Sequence, residues 1–246
     1  MHCRHCVLRL TVLTSSTACN QRPPQVSTST VRHISVTLDT IFSRQNELRI
    51  RTSLMTVKPV RKPSGSGRGG EASVLVPLCT VNKKPSILFT LRSSALNSHS
   101  GHVSFPGGKK DDTDPNLVYT ALRETEEELG LSESQVDVWG ELLPSPSRNG
   151  LTVTPVIGFC GELDVDLLKP NQNEVEAVFT RTISSLCNPA NTRMTHFRTG
   201  AGYILPVYLG GPHRIWGLSA VFLHQVLTIL APGLYKFKIP MVRHVR

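Results

Sequence analysis

The sequence predicts an α/β layered domain built on a mixed sheet, and three features carry that expectation. Strand-length apolar runs stand on both sides of one amphipathic helix, polar turn-forming stretches separate them, and a second, mostly apolar helix follows near the C-terminus. The length of 246 residues suits one well-buried domain with flanking segments, and a hydrophobic content of 39% excludes a wholly disordered chain.

The first two strands are "ASVLVPLCTV" (72–81) and "SILFTLR" (86–92), joined by the polar turn "NKKP". A Gly/Pro/Asp-rich loop, "HSGHVSFPGGKKDDTDP", leads to Asp114-Pro115, which reads as a carboxylate cap followed by proline at the first helical position. The helix then runs from about Asn116 to Leu129, and Gly130 is placed to end it in a left-handed conformation. "VDVWGELL" and "TVTPVIGF" flank the loop "PSPSRNG" as further strands, with "VEAVF" and "YILPVYL" after them. "WGLSAVFLHQVLTIL" (216–230) has helical length and stops at "APG"; it is apolar on most sides but too short to span a bilayer, so it reads as a core helix, with Trp216 part of the core.

Charge is distributed unevenly. Residues 1–70 hold 11 Lys and Arg against only Asp39 and Glu47, whereas residues 71–246 hold 16 basic and 16 acidic side chains. The basic character belongs to the leader, so the body lacks the basic stripe a nucleic-acid binder needs, and no apolar run is long enough to cross a membrane. With Arg4, Arg9, Arg22 and Arg32, no acid before Asp39 and abundant Ser and Thr, the leader has the composition of a mitochondrial transit peptide. The expected organisation is leader and flexible linker over 1–70, the linker being "KPVRKPSGSGRGG" (58–70), then a domain over 71–230 and a C-terminal tail over 231–246. Cys79 and Cys160 sit in apolar runs and read as small buried hydrophobes rather than metal ligands.

The first helix carries the chemistry. At about 100° per residue, Val118, Ala121, Leu122, Thr125 and Leu129 form a core-facing stripe, while Glu124, Glu127 and Glu128 collect on the far side. Like charges at these spacings each cost about 0.2–0.5 kcal/mol. Anions in a last turn oppose the helix dipole by a further 0.3–1 kcal/mol or so. A divalent cation such as Mg²⁺ or Mn²⁺ cancels that cost, because such ions take oxygen ligands and are held by a few carboxylates together with substrate phosphates. Arg123, at the edge of the same face, can orient a carboxylate or reach a phosphate. Gly107 and Gly108 let backbone approach a metal or phosphate closely.

"GGKKDDTDPNLVYTALRETEEELGL" (107–131) resembles the signature box of the Nudix hydrolases, with Arg123, Glu124, Glu127, Glu128, Gly130 and Leu131 at the matching positions. The loop is one residue longer than the general pattern, Asp114 stands near the usual loop glutamate, and Thr125 fills an aliphatic slot. "LFTLRSSALNSHSGHVSFPGG" (88–108) is similar to the additional signature of the coenzyme A diphosphatase branch, through Arg92, Ser93, Gly101 and Phe105 to Gly108; Asn97 replaces the second arginine.

The resemblance implies a Nudix-type α/β/α sandwich and metal-dependent hydrolysis of a nucleoside-linked diphosphate, with coenzyme A (CoA) split into 3′,5′-ADP and 4′-phosphopantetheine. It implies Mg²⁺ or Mn²⁺ on Glu124, Glu127 and Glu128, with the Gly108 carbonyl as a further ligand, and either Glu127 or Glu128 as base. Arg92, Ser104 and Lys109 are the expected substrate contacts, and Glu174 or Glu176 a distal carboxylate. His213 reads as a capping or packing group. Another nucleotide (NADH, ADP-ribose or an oxidised nucleoside triphosphate) and a catalytically silent nucleotide-binding module are the alternatives, and monomer and homodimer are both compatible.

Overall fold

The computed structural model describes residues 36–56, 70–94, 101–147, 149–197 and 203–239. The leader up to residue 35, the linker residues 57–69 and Asn97 lie outside the described residues. Helix α1 (Arg44–Thr56) is followed by β1 (Glu71–Val81), β2 (Lys84–Arg92), β3 (Val103–Ser104), β4 (Gly107–Lys109) and helix α2 (Leu117–Leu129). Then come β5 (Asp137–Glu141), β6 (Ser145–Pro146), β7 (Thr152–Glu162), β8 (Val175–Thr182), α3 (Ile183–Cys187), β9 (Thr192–Phe197), β10 (Tyr203–Tyr208) and α4 (Gly217–Leu230).

The sheet is mixed, as expected. β1 runs parallel to β7 and antiparallel to β2 and β4, while β2 also pairs with β3 and β8, and β7 with β5 and β6. β9 and β10 form a separate hairpin. The "NKKP" turn closes β1 on β2 with Asn82 and Lys83 both at positive φ, the conformation that matches strand twist in a tight hairpin.

Side-chain alternation makes two faces and two helical layers. Leu75 of β1 and Val156 of β7 pack on Ala121 and Leu122 of α2. Phe159, three residues on, projects to the other face and meets Phe42, just before α1, at 5.0 Å between rings, and Trp139 at 5.8 Å. Helices on both faces of a mixed sheet give the sandwich. Cys79 and Cys160 lie in the core on the α2 face, both reduced. α4 buries Ala220, Phe222, Leu223, Val226, Leu227 and Leu230, and no helix among the described residues is long and apolar enough to cross a membrane.

Two boundaries differ from expectation. The segment from residue 36 to 56, assigned to leader, is part of the folded body: Ile41 and Ile50 have no exposed surface, and Asn46 Nδ2 donates to the carbonyls of Ile41 (2.7 Å) and Leu230 (3.0 Å). Arg51 completes the docking through the Val138 carbonyl (2.5 Å) and Asp137 (2.6 Å). The tail expected from 231 is likewise tied down, because the Tyr235 hydroxyl meets the buried Tyr208 hydroxyl (2.6 Å) and Nδ1 of the half-buried His224 (2.8 Å).

Candidate active site

The site begins where β4 joins β1. Gly107 has φ +146°, and a β-carbon there would stand 2.5 Å from the Val74 α-carbon and collide with the Ser73 carbonyl. At Gly108 a β-carbon would overlap the Glu124 carboxylate, 2.5 Å from its Oε1. The glycine pair therefore lets a sheet edge press directly against the acidic face of α2.

α2 presents that face as the spacing requires. Ala121, Leu122, Thr125 and Leu129 are buried, Val118 is half-buried against the same cluster, and Gly130 caps the helix at φ +67° with its N–H on the Glu126 carbonyl (2.8 Å). The N-terminal cap differs from the one anticipated. Asn116, not Asp114, caps, its side chain accepting the Tyr119 N–H at 2.8 Å. Asp114 is instead turned inward, because a guanidinium waits there to receive it.

That guanidinium belongs to Arg123. Its Nε donates to Asp114 Oδ1 (3.0 Å) and its Nη2 to Asp114 Oδ2 (3.1 Å), Glu124 Oε1 (3.0 Å) and the Lys109 carbonyl (3.4 Å), while Nη1 straddles Glu127 (3.0 and 3.1 Å). Asp114 also accepts from the Thr120 hydroxyl (2.8 Å) and the Asp111 N–H (3.0 Å). Arg123 holds the Asp114 carboxyl well below the usual carboxylate range, and Asp114 raises the guanidinium in return. Of the two roles considered for Arg123, the geometry supports orienting carboxylates.

The three glutamates are not equivalent. Glu128 is sealed, its side chain 4% exposed; Oε2 accepts the Gly107 N–H at 3.3 Å, and Oε1 lies 4.0 Å from Arg92 Nη1. Burial pushes the Glu128 carboxyl up to about 8, with Arg92 and the Gly107 N–H opposing and the charges of Glu174 and Glu124 adding to the rise. Glu124 is 18% exposed and is also raised, by burial first, against the pull of Arg123. Glu127 is 58% exposed on the rim.

The remaining expected residues divide. Glu174 adds like charge to both Glu124 and Glu128, whereas Glu176 accepts the Ser94 N–H at 3.3 Å, so of the two it is Glu174 whose charge reaches the α2 glutamates. Arg92 stands over Glu128. The Ser104 hydroxyl is taken by Thr90 (2.9 Å), and Lys109 is exposed in β4. His213 packs on Phe179 with ring centroids 5.1 Å apart. Trp216, expected in the core, is half-buried at the start of α4, because its neighbour Ile215 takes the inward position.

Among the described residues no three acidic, imidazole or thiol groups already stand at ligating separation, since Arg123 draws Glu127 outward. The donor set still suits a hard divalent cation. Two carboxylates lose their water on folding, both resist ionisation for that reason, and Gly108 leaves them room.

The description "NUDIX domain" fits residues 71–199. The mouse protein named "Mitochondrial coenzyme A diphosphatase NUDT8" is 49% identical over 172 residues, 69% of this chain and 82% of that one. Its human namesake is 46% identical over 198 residues, 79% of this chain and 82% of that one. "Nudix hydrolase 3" of Caenorhabditis elegans is 38% identical over 212 residues, 79% and 87% of the respective chains. With the glycine strand, the glutamate face and the arginine that orders it in place, this chain belongs to the Nudix hydrolase family.

Proposed function

We propose that this protein hydrolyses the diphosphate of CoA or an acyl-CoA to 3′,5′-ADP and the corresponding 4′-phosphopantetheine, with Mg²⁺ or Mn²⁺, in mitochondria. The observation that carries the reading is the pair of desolvated carboxylates, Glu124 and Glu128, set against a glycine-only strand edge with Arg92 beside them. The names of the mouse and human relatives supply the substrate.

Glu124 and Glu128, with the Gly108 carbonyl, would hold the cation, and Glu127 would join them on releasing Arg123. A bound divalent ion supplies neutralisation of the diphosphate and a lower pKa for water. Arg92, beside Glu128, would offer a charged donor to a phosphate oxygen. Arg123 keeps the carboxylates in register while Asp114 holds it still. Proton acceptance falls to Glu127 on the rim or to Glu174, whose charge reaches Glu124 and Glu128, and kcat in Glu127→Gln and Glu174→Gln separates the two.

The purified protein is incubated with CoA, acyl-CoA, NADH, ADP-ribose and 8-oxo-dGTP under Mg²⁺ or Mn²⁺, and products are identified by mass. Release of 3′,5′-ADP from CoA, lost in the Glu124→Gln, Glu128→Gln double variant, is expected. Cleavage of another substrate in preference to CoA, or retained CoA cleavage in the double variant, overturns the assignment. The acid-free, arginine-containing leader and the word "Mitochondrial" in both relatives' names support import. A fluorescent fusion of residues 1–35 that stayed diffuse in the cytosol would remove that part.

A further inference from the structure

The segment between β10 and α4 is shaped in a way hydrolysis at α2 does not require. Tyr208 and Ile215 form an antiparallel bridge, Tyr208 N–H to the Ile215 carbonyl at 2.8 Å and Ile215 N–H to the Tyr208 carbonyl at 3.0 Å. Ile215 has no exposed surface. Because side chains alternate along extended backbone, burying Ile215 turns Arg214 and Trp216 outward on one side together. There the Arg214 guanidinium carbon lies 5.2 Å from the Trp216 ring centroid. Immediately after, Gly217 at φ +64° turns the chain into α4, a step that a side chain would strain.

This pair stands beside the catalytic edge. The other neighbour of the indole is His102, with ring centroids 4.7 Å apart. His102 in turn is the rung opposite Arg92, its carbonyl accepting the Arg92 N–H at 3.0 Å. Directly opposed residues on antiparallel strands lie only about 4.5–5.5 Å apart, and Arg92 is the residue that reaches Glu128. A half-buried indole and an exposed guanidinium, one rung from the phosphate-binding arginine, match the two ends of a phosphorylated nucleoside: a flat π-face and a dianion.

We propose that Arg214 and Trp216 seat the nucleotide end of the substrate, the indole stacking on the purine and the guanidinium taking the phosphate on the ribose 3′ oxygen. This rests on the CoA reading, since CoA carries that 3′-phosphate and dephospho-CoA lacks it. Arg214 is then the residue that discriminates the two.

The test compares KM and kcat for CoA and dephospho-CoA in wild type, Arg214→Gln, Arg214→Lys, Trp216→Leu and Trp216→Phe. Arg214→Gln is expected to raise KM for CoA about tenfold, the low end for an exposed charge-assisted contact, with dephospho-CoA within about twofold and kcat unchanged. Arg214→Lys should recover part of the loss. Trp216→Leu should raise KM for both substrates by roughly tenfold, as loss of one base–aromatic stack does, and Trp216→Phe by much less. A merely structural role would shift the melting temperature and leave the CoA/dephospho-CoA ratio alone, which would overturn the proposal.

A second readout needs no turnover. The chain has two tryptophans, of which Trp139 is buried, so 3′,5′-ADP should quench wild-type fluorescence and leave that of Trp216→Phe unaffected. 5′-AMP should quench only at about tenfold higher concentration. Quenching that survives in Trp216→Phe sinks this seat while leaving the hydrolase reading intact. Absence of CoA cleavage by wild type sinks that reading instead.

Discussion

Replacing Asp114 with asparagine should destabilise the protein and remove a defined piece of its acid sensitivity. In the fold the carboxylate grips Arg123 with both oxygens, at 3.0 and 3.1 Å, and also accepts the Thr120 hydroxyl and the Asp111 N–H. An amide keeps one acceptor and turns a donor toward the other arm of the guanidinium. Breaking a fully buried ion pair costs about 3–5 kcal/mol. That is an upper bound here, because Arg123 itself covers Asp114 and retains Glu124 and Glu127 as partners. One lost charge-assisted bond, about 1.5–3 kcal/mol, is the closer figure, and about 2 kcal/mol at pH 7 is expected. For a domain of this size that lowers Tm by about 4–8 °C.

The pH dependence fixes the cause. The Asp114 carboxyl is held below its ordinary value, chiefly by Arg123. Its stability contribution is therefore complete above the unfolded pKa of about 3.9 and drains away as pH falls below it. Urea unfolding of wild type and Asp114→Asn should differ most from about pH 5 to 7, and the gap should begin to narrow below about pH 3.9 and close only as pH falls through the much lower folded value. A difference below about 0.5 kcal/mol at pH 7, the size of an ordinary surface change, would refute the reasoning. So would a difference that stays constant down to pH 3.

Gly108→Ala should change Tm little, because its φ is ordinary, yet lower kcat/KM by at least about 100-fold, the effect of displacing a reacting group by an ångström. Glu128→Gln makes two outcomes expected. In EDTA-treated protein the Glu128 carboxyl lies at about 8 in the fold against about 4.3 unfolded. Its contribution is thus present below the unfolded value and is lost as pH rises through the folded one, so the glutamine variant should flatten the decline in urea midpoint from about pH 5 to 8. The same variant should abolish the rise in Tm produced by Mg²⁺ or Mn²⁺. A chain beginning at residue 71 loses Ile41 and Ile50, at about 1.5–3 kcal/mol per buried large side chain, and should melt without a sharp transition, whereas one beginning at residue 36 should melt like the full chain. Tyr235→Phe strands the buried Tyr208 hydroxyl and should cost about 1–3 kcal/mol by thermal melting.

What could be read in advance was what local rules govern. The α2 stripe, its glycine stop and the β1–β2 hairpin follow from helical period, left-handed capping and turn chemistry within a few residues. What escaped was decided by partners far along the chain. Asp114 before proline carries every local mark of a cap, but a guanidinium nine residues away outbids a backbone N–H. "RQNELRIRTSLMT" reads as basic leader because its helix depends on contacts at Val138 and Leu230. Helical spacing grouped Glu124, Glu127 and Glu128 without ranking them; only the position of β4 makes Glu128 the buried member. Trp216 looked like core because the bridge that pins Ile215 inward was not visible from composition.

The glycine pair lies in a strand, not a loop, and that strand is hydrogen-bonded to β1, the element that also carries Leu75, Val76 and Leu78 of the core. The Gly108 amide proton, paired with Ser73 of β1, should thus exchange only when the whole molecule opens. The anvil on which the phosphates are struck does not bend to fit them. Substrate choice is left to the periphery, and loosening the interior anywhere along β1 is felt as lost turnover before it is seen as unfolding.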